Sequence, residues 1–397
     1  MSRILVTDGN QRSTLAVTRS LGIKGIGVGV GEDSIPCLAA SSKYCVKAIR
    51  YRSPLTDPQG FVDDILHELK SEKYDMFLPM TDLTTYLVIS NIERFKPLTR
   101  LPLPPTNEYF KAIDKGELIK LSQNLGVPVP RTYFINGLDD LDSIAKEITY
   151  PIVIKPRHSK YLTSSGWRHL GVGYAFDINE LRTIIEDWDK ATPLPILQER
   201  ITGDGEGAFF LFDKGEPKAY FFHRRIREKP PSGGVSVLRE SIPVDPQMKE
   251  YGIQLLKSLN WHGVAMVEFK LDDRDNIPRV MEINARLWGS LQLAIDSGVD
   301  FPFLLYQMAM GEEVPPLYDY TTGVKLRWLM GDIDHLHMRI FKSDKQLNLP
   351  PNYPGRLATI FEFLKFYQAK MKYEILKADD IKPFAFEFNK WLKDLFR

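Results

Sequence analysis

The first hundred residues alternate between two periodicities. Ile4, Leu5, Val6 and Thr7 form a short, mostly β-branched run that ends in the turn Asp8-Gly9-Asn10. Leu15, Val17 and Leu21 then trace a helical pattern that stops at Gly22. A second strand is predicted over 25–30, an amphipathic helix over 61–69 and a further strand over 76–80. Strands alternating with helices predict a parallel sheet with crossover helices. The proline-rich stretch 101–105 breaks the pattern and marks the first boundary.

Beyond it the character changes. Residues 106–126 read as helical, and Gly126-Val127-Pro128-Val129-Pro130 ends that run. Strand-like runs follow at 152–155, 196–199, 207–211 and 219–222, then at 264–269 and 279–283. The last two flank Asp272-Asp273-Arg274-Asp275-Asn276, a polar turn that predicts antiparallel neighbours. After Pro315-Pro316 a tail rich in aromatic and basic residues is expected to form a mainly helical extension. The expected division is 1–105, 106–200, 201–316 and 317–397, α/β in class with an α+β centre.

Composition narrows the function classes. The chain of 397 residues is 43% hydrophobic and 26% charged with net charge +1, an ordinary soluble composition. Near-neutrality argues against a protein built to grip nucleic acid. Cys37 and Cys45 support neither a disulfide framework nor a usual zinc spacing, and read as small apolar residues in a reducing compartment. No window approaches the roughly 20 apolar residues of a membrane span, and the N-terminus lacks a signal-peptide pattern. A cytoplasmic protein is expected, with no integral membrane segment.

The chemistry concentrates on the predicted hairpin. Residues two apart on a strand share a face, so Glu282 and Asn284 project together, and strand pairing can bring Glu268 beside them. Two carboxylates and an amide oxygen form a hard-oxygen site suited to Mg²⁺, with phosphates completing the shell. Arg286 occupies the next same-face position, where a fork of donors matches phosphoryl oxygens.

This hairpin resembles the metal-binding hairpin of ATP-grasp enzymes, particularly the carbamoyl-phosphate-synthase-like group of carboxylate–amine ligases. Further segments fit in order. Asp114-Lys115 with the 126–130 turn resembles the entry into the family's lid domain, and Pro151 to Pro156 resembles the strand carrying the phosphate-binding lysine, here Lys155. Gln198, Glu199, Arg200 and Ile201 resemble the hinge that holds adenine and ribose, and Glu206 matches a further acidic position at the nucleotide sugar. The resemblance spans 106–316. It implies an ATP-grasp fold with an N-terminal Rossmann-like pre-grasp domain, a small lid subdomain and a larger antiparallel-sheet subdomain. Residues 7–13 and 223–234 also resemble an uncharacterised branch of predicted ATP-grasp carboligases.

The implied roles are specific. Lys115 and Lys155 place compact charges on the phosphates of ATP. Glu268, Glu282 and Asn284 hold Mg²⁺, as two ions replaceable by Mn²⁺. Arg286 stabilises charge on the transferring phosphoryl group. Ser164 and Ser165 fall in the loop expected to cover the phosphates, although that loop is poorer in glycine than the family's. The basic stretch 223–234 is expected to hold the carboxylate or acyl phosphate, with Arg227 as the leading contact. The expected activity is ADP-forming joining of a small-molecule carboxylate to an amine through an acyl phosphate, with a homodimer as the expected assembly. The alternatives are a kinase of a hydroxylated small molecule and an ATP-binding regulator without turnover. Specificity is assigned to residues 8–13, Thr81-Asp82 and 223–234.

Some features carry less. Gly25, Gly27 and Gly29 do not open a helix after the first strand, so they make no dinucleotide fingerprint. His335 and His337 would share a face on a strand but lack an accompanying carboxylate motif. The amphipathic stretch 357–367 suits packing on the enzyme body or a second subunit ahead of contact with a membrane surface.

Overall fold

The computed structural model describes residues 2–395 apart from 164–165, 348 and 350–352. Four sheets organise it. The first is parallel, ordered β3 (Cys45–Arg50), β2 (Gly27–Glu32), β1 (Arg3–Val6), β4 (Met76–Leu78). Helices Arg12–Ile23, Pro58–Ser71 and Asp82–Ser90 alternate with these strands. Every residue of β2 is buried. Its glycine alternation serves packing: a Cβ at Gly31 would lie 2.8 Å from the Tyr51 ring, and one at Gly29 3.1 Å from Tyr74.

The predicted helical run 106–126 divides into Thr106–Ile113 and Lys115–Asn124. Asp114 makes the break, because its side chain accepts from the amides of Gly116 and Glu117 and caps the second helix. The second sheet is antiparallel, ordered β5 (Thr132–Phe134), β10 (Ile196–Glu199), β6 (Ile152–Lys155), β9 (Gly173–Ala175). Between β6 and β9 the strands β7 (Lys160–Thr163) and β8 (Gly166–His169) pair with each other alone.

The largest sheet has seven strands, ordered β15 (Pro278–Asn284), β14 (Gly263–Leu271), β11 (Gly205–Asp213), β12 (Glu216–Lys229), β13 (Val235–Ser241), β16 (Lys325–Arg327), β17 (Met371–Tyr373). Its neighbours run antiparallel except β16 and β17. Alternation along β11 divides the core. Phe209 and Leu211 join the cluster shared with the N-terminal sheet, while Ala208, Phe210 and Phe212 join the cluster under helix Pro246–Ser258.

Residues 317–397, expected as a mainly helical extension, supply β16 and β17 as well as the helices Leu329–Phe341, Arg356–Phe363 and Lys382–Leu395. They also pin the N-terminal domain: Arg19 donates to Asp380 at 2.8 Å, and Arg12 to Glu374, also at 2.8 Å. His335 and His337 lie on a helix, with His335 buried and its Nδ1 2.7 Å from the Glu228 carbonyl, which removes the strand geometry entertained for them. No helix among the described residues is long and apolar enough to cross a membrane.

Candidate active site

The turn 272–276 closes the predicted hairpin. Asp272 accepts from the Arg274 amide at 3.1 Å, and Asn276 takes the left-handed φ of 56° that asparagine tolerates. The resulting register sets Glu268 directly opposite Glu282, and Met266 opposite Asn284. Two carboxylates thus face each other at one sheet end, with Asn284 two residues beyond.

Their neighbours compensate the charge. Asn284 donates from Nδ2 to Glu268 Oε1 at 3.1 Å and to Glu282 Oε1 at 3.4 Å, while its oxygen accepts from Arg286 at 3.2 Å. Arg225 donates to Glu268 Oε2 at 2.7 Å, and Lys115 Nζ lies 3.2 Å from Glu282 Oε2. Burial and the facing Glu282 charge raise the Glu268 carboxyl against the pull of Arg225. Burial also acts upward on Glu282, but Lys115 and Lys155 more than offset it and leave this carboxyl below its ordinary value.

Among the described residues there is no group of three or more His, Cys, Asp or Glu suited to a metal. The hairpin instead offers two carboxylates and an amide, and a half-turn of the Asn284 amide would present its oxygen alongside them. Such a donor set fits Mg²⁺ bound by few protein ligands with phosphates or water completing the octahedron.

Arg286 is positioned from the other side. It donates from Nε and Nη2 to the Asp82 carboxylate at 2.8 and 3.0 Å, so the N-terminal domain orients it. Desolvation by the surrounding cleft pushes the solvent-exposed Asp82 carboxyl up, and the charges of Arg286, Lys115 and Lys160 bring it below the usual range. These groups share a cavity of about 380 Å³ with Tyr86 and Trp167. Trp167 on β8 donates to the Pro54 carbonyl at 3.0 Å and packs edge-on to Tyr86, which fastens the β7–β8 hairpin to the N-terminal domain.

Lys155, at the end of β6, donates to Gln198 Oε1 at 2.5 Å. Burial lowers its ammonium pKa to about 8, partly offset by Glu282 and reinforced by the like charge of Lys115. At the hinge, Gln198 and Ile201 are buried. Glu199 accepts from Arg274 at 2.9 and 3.2 Å, and Arg200 lies over the Tyr174 ring at 5.7 Å. Glu206, on β11, is pushed up to about 6 by burial and by Asp245 and Asp204.

The structure therefore gathers Lys115, Glu268, Glu282, Asn284 and Arg286 into one cluster and sets Lys155, hydrogen-bonded to Gln198, within its electrostatic reach. Ser164 and Ser165 lie outside the described residues. Arg227 departs from its expected place. Its guanidinium donates to the buried Asp332 at 2.8 and 2.6 Å, and Arg225 stands at the carboxylates instead. Strict alternation would put both arginines on one face, but register shifts on either side of Arg227 re-aim its side chain. Sequence reasoning missed Arg225 for that reason. It named Asp82 only as a specificity position, because the contact with Arg286 spans 204 residues.

This placement has a testable consequence. Arg227→Ala leaves Asp332 with Arg327 as a remaining partner at 2.6 Å, so a loss of about 2–3 kcal/mol in stability is expected. Thermal unfolding should show a lower Tm while ATP affinity is unchanged. Weakened ATP or carboxylate binding at unchanged Tm would return Arg227 to the site.

Comparisons with known proteins bear on the fold. Residues 218–331 match the family "ATP-grasp in the biosynthetic pathway with Ter operon". The carbamoyl phosphate synthase large chain of Methanosphaerula palustris is 23% identical over 249 residues, covering 59% of this chain and 22% of its own length. That of Thermotoga neapolitana is 23% identical over 338 residues, covering 79% of this chain and 29% of its own. The chain thus spans under a third of these relatives. Among solved structures, a biotin carboxylase–β-γ-ATP complex from Campylobacter jejuni superposes with TM-score 0.65 at 16% identity, over 82% of this chain and 74% of that one. The L-amino acid ligase of Bacillus licheniformis gives TM-score 0.59 at 16% identity, over 80% and 78%.

Proposed function

We propose that this chain, which has the ATP-grasp fold, is an ADP-forming ligase that activates a small-molecule carboxylate with ATP and joins it to an amine. The observation that carries the reading is the pairing of Glu268 with Glu282 beside Asn284 and Arg286, with Lys115 and Lys155 converging on the same patch. A binding protein needs no such complete set for charge developing on phosphate.

In this reading Lys155 and Lys115 neutralise the ATP phosphates, and the hinge 198–201 seats the nucleotide base and sugar with Glu206. Glu268, Glu282 and Asn284 would hold Mg²⁺, whose charge would offset that of the phosphates. A substrate carboxylate oxygen attacks the γ-phosphorus, the bond to the β-phosphate oxygen breaks, and ADP leaves. Arg286, fixed by Asp82, stabilises the transferring group. The amine then attacks the acyl carbon, phosphate departs with the bonding pair, and the nitrogen loses a proton. Trp167 and Tyr86 help exclude water, which would otherwise waste the acyl phosphate. Arg225, rather than Arg227, takes the place nearest the reacting carboxylate. In the same reading the enzyme uses two metal ions, with Mn²⁺ able to replace Mg²⁺, and acts in the cytoplasm as a homodimer.

The test is ADP release from Mg-ATP against pooled carboxylates, with and without pooled amines, with the Lys155→Ala protein as blank. Release requiring both pools is expected. Release with one hydroxylated compound and no amine would replace the ligase by a kinase, and tight ATP binding with no release under any pool would favour the regulator.

A further inference from the structure

The C-terminal helix Lys382–Leu395 fully buries only Pro383 among its described residues. Glu387, Lys390, Trp391 and Asp394 recur at helical spacing and line a cavity of about 520 Å³. Trp328 and Asp334, from the segment around helix Leu329–Phe341, and Arg12 from the N-terminal domain line it as well. Size and lining suit a small organic ligand. Arg12 and Val235 also line a pocket of about 140 Å³ with Arg225, Glu268, Asn284 and Arg286, so the two spaces adjoin beside the metal hairpin.

The walls are held rigidly. The Trp328 indole donates to Glu387 Oε1 at 2.6 Å, and the Trp391 indole donates to Asp334 Oδ1 at 2.8 Å. The Arg12 guanidinium stacks 3.8 Å from the centre of the Trp328 ring and is matched by Glu374. Lys229 is matched by Asp334. Glu387 is different, because its Oε2 is buried with no hydrogen-bond partner among the described residues. An acceptor left so costs free energy that a ligand's donor or positive charge would recover.

We propose that this cavity binds the acceptor amine: an amine with an apolar or aromatic body lying against Trp328 and Trp391, and a second, non-reacting cationic group set against Glu387. The reacting nitrogen points past Arg12 toward the metal hairpin. The inference rests on the ligase reading, which requires an amine beside the acyl phosphate, and it makes the C-terminal segment a specificity element. The aromatic faces add cation–π attraction, and a preformed rigid wall lowers the entropic cost of binding.

Binding can be separated from turnover. Titration calorimetry on the full chain would compare p-xylylenediamine with benzylamine, which has the same ring and lacks the second cation. The diamine should bind saturably and about tenfold more tightly, the size of one charge-assisted contact. Glu387→Gln, which keeps an acceptor for the Trp328 indole, should abolish that preference. Trp391→Ala should weaken both amines, while neither change alters Mg-ATP affinity. Equal binding of the two amines, an undiminished preference in Glu387→Gln, or no saturation would each overturn the proposal. Should the site bind the diamine as expected while no amine supports ADP release, the ligase reading falls and the binding site stands.

Discussion

Glutamine in place of Glu282 is expected to give a folded protein that still binds ATP and has lost about a thousandfold in kcat/KM, within the range for removing a preorganised electrostatic contact. The substitution keeps shape and length, so the β14–β15 register should persist. It removes one of two facing carboxylates, whose mutual repulsion offsets part of the lost pairing with Lys115. The fall in stability should therefore be small, and a thermal melt checks it. On the proposed metal assignment the variant lacks one charged ligand for Mg²⁺, so excess Mg²⁺ or Mn²⁺ should recover part of the rate. Near-normal turnover in this variant would remove the metal assignment, and with it the reason to read the hairpin as catalytic.

Alanine at Lys155 should act on binding. A hydrogen bond to a charged group contributes about 1.5–3 kcal/mol, so ATP affinity should fall by about 10- to 150-fold. Its pH dependence is the sharper signature. Lys155 has a folded pKa of about 8, below the roughly 10.4 of a free lysine. Between those values the unfolded chain holds more protons, so folding stability contributed by this group rises with pH through that window. ATP binding runs the opposite way, because phosphate favours the charged amine, and affinity should weaken as pH climbs through about 8. Glu282 and Glu268, which favour the charge, and Lys115 and Lys270, which oppose it, set where that fall lies. In Lys155→Ala the part of each slope due to this lysine should be lost, as calorimetry and thermal melts of both proteins across pH 7–10 would show. A retained slope in ATP affinity would assign the titration to another group.

How much of this was legible before folding differs from residue to residue. Lys155 follows an apolar run and precedes a proline, and Glu282, Asn284 and Arg286 sit at a spacing of two; both patterns are local. The hairpin turn is local as well, being set by Asp272 and Asn276. Arg225 and Arg227 were beyond that kind of reasoning, because bulges beside Arg227 change which face it serves. So was the C-terminal segment, whose short strands β16 and β17 gain their stability from the sheet they extend.

Local pattern along the chain is enough for the α/β opening, the strand pair at 264–283 and the candidate groups for phosphate chemistry. Periodicity and turn propensity act over a few residues and need no knowledge of the rest of the chain. Packing of distant segments sets Asp82 on Arg286, pairs Arg227 with Asp332 away from the carboxylates, and brings Trp328, Glu387 and Trp391 to one cavity beside them. Those contacts join residues 57 to 204 positions apart. Their energy comes from desolvating and pairing charges that meet only once the sheets have packed.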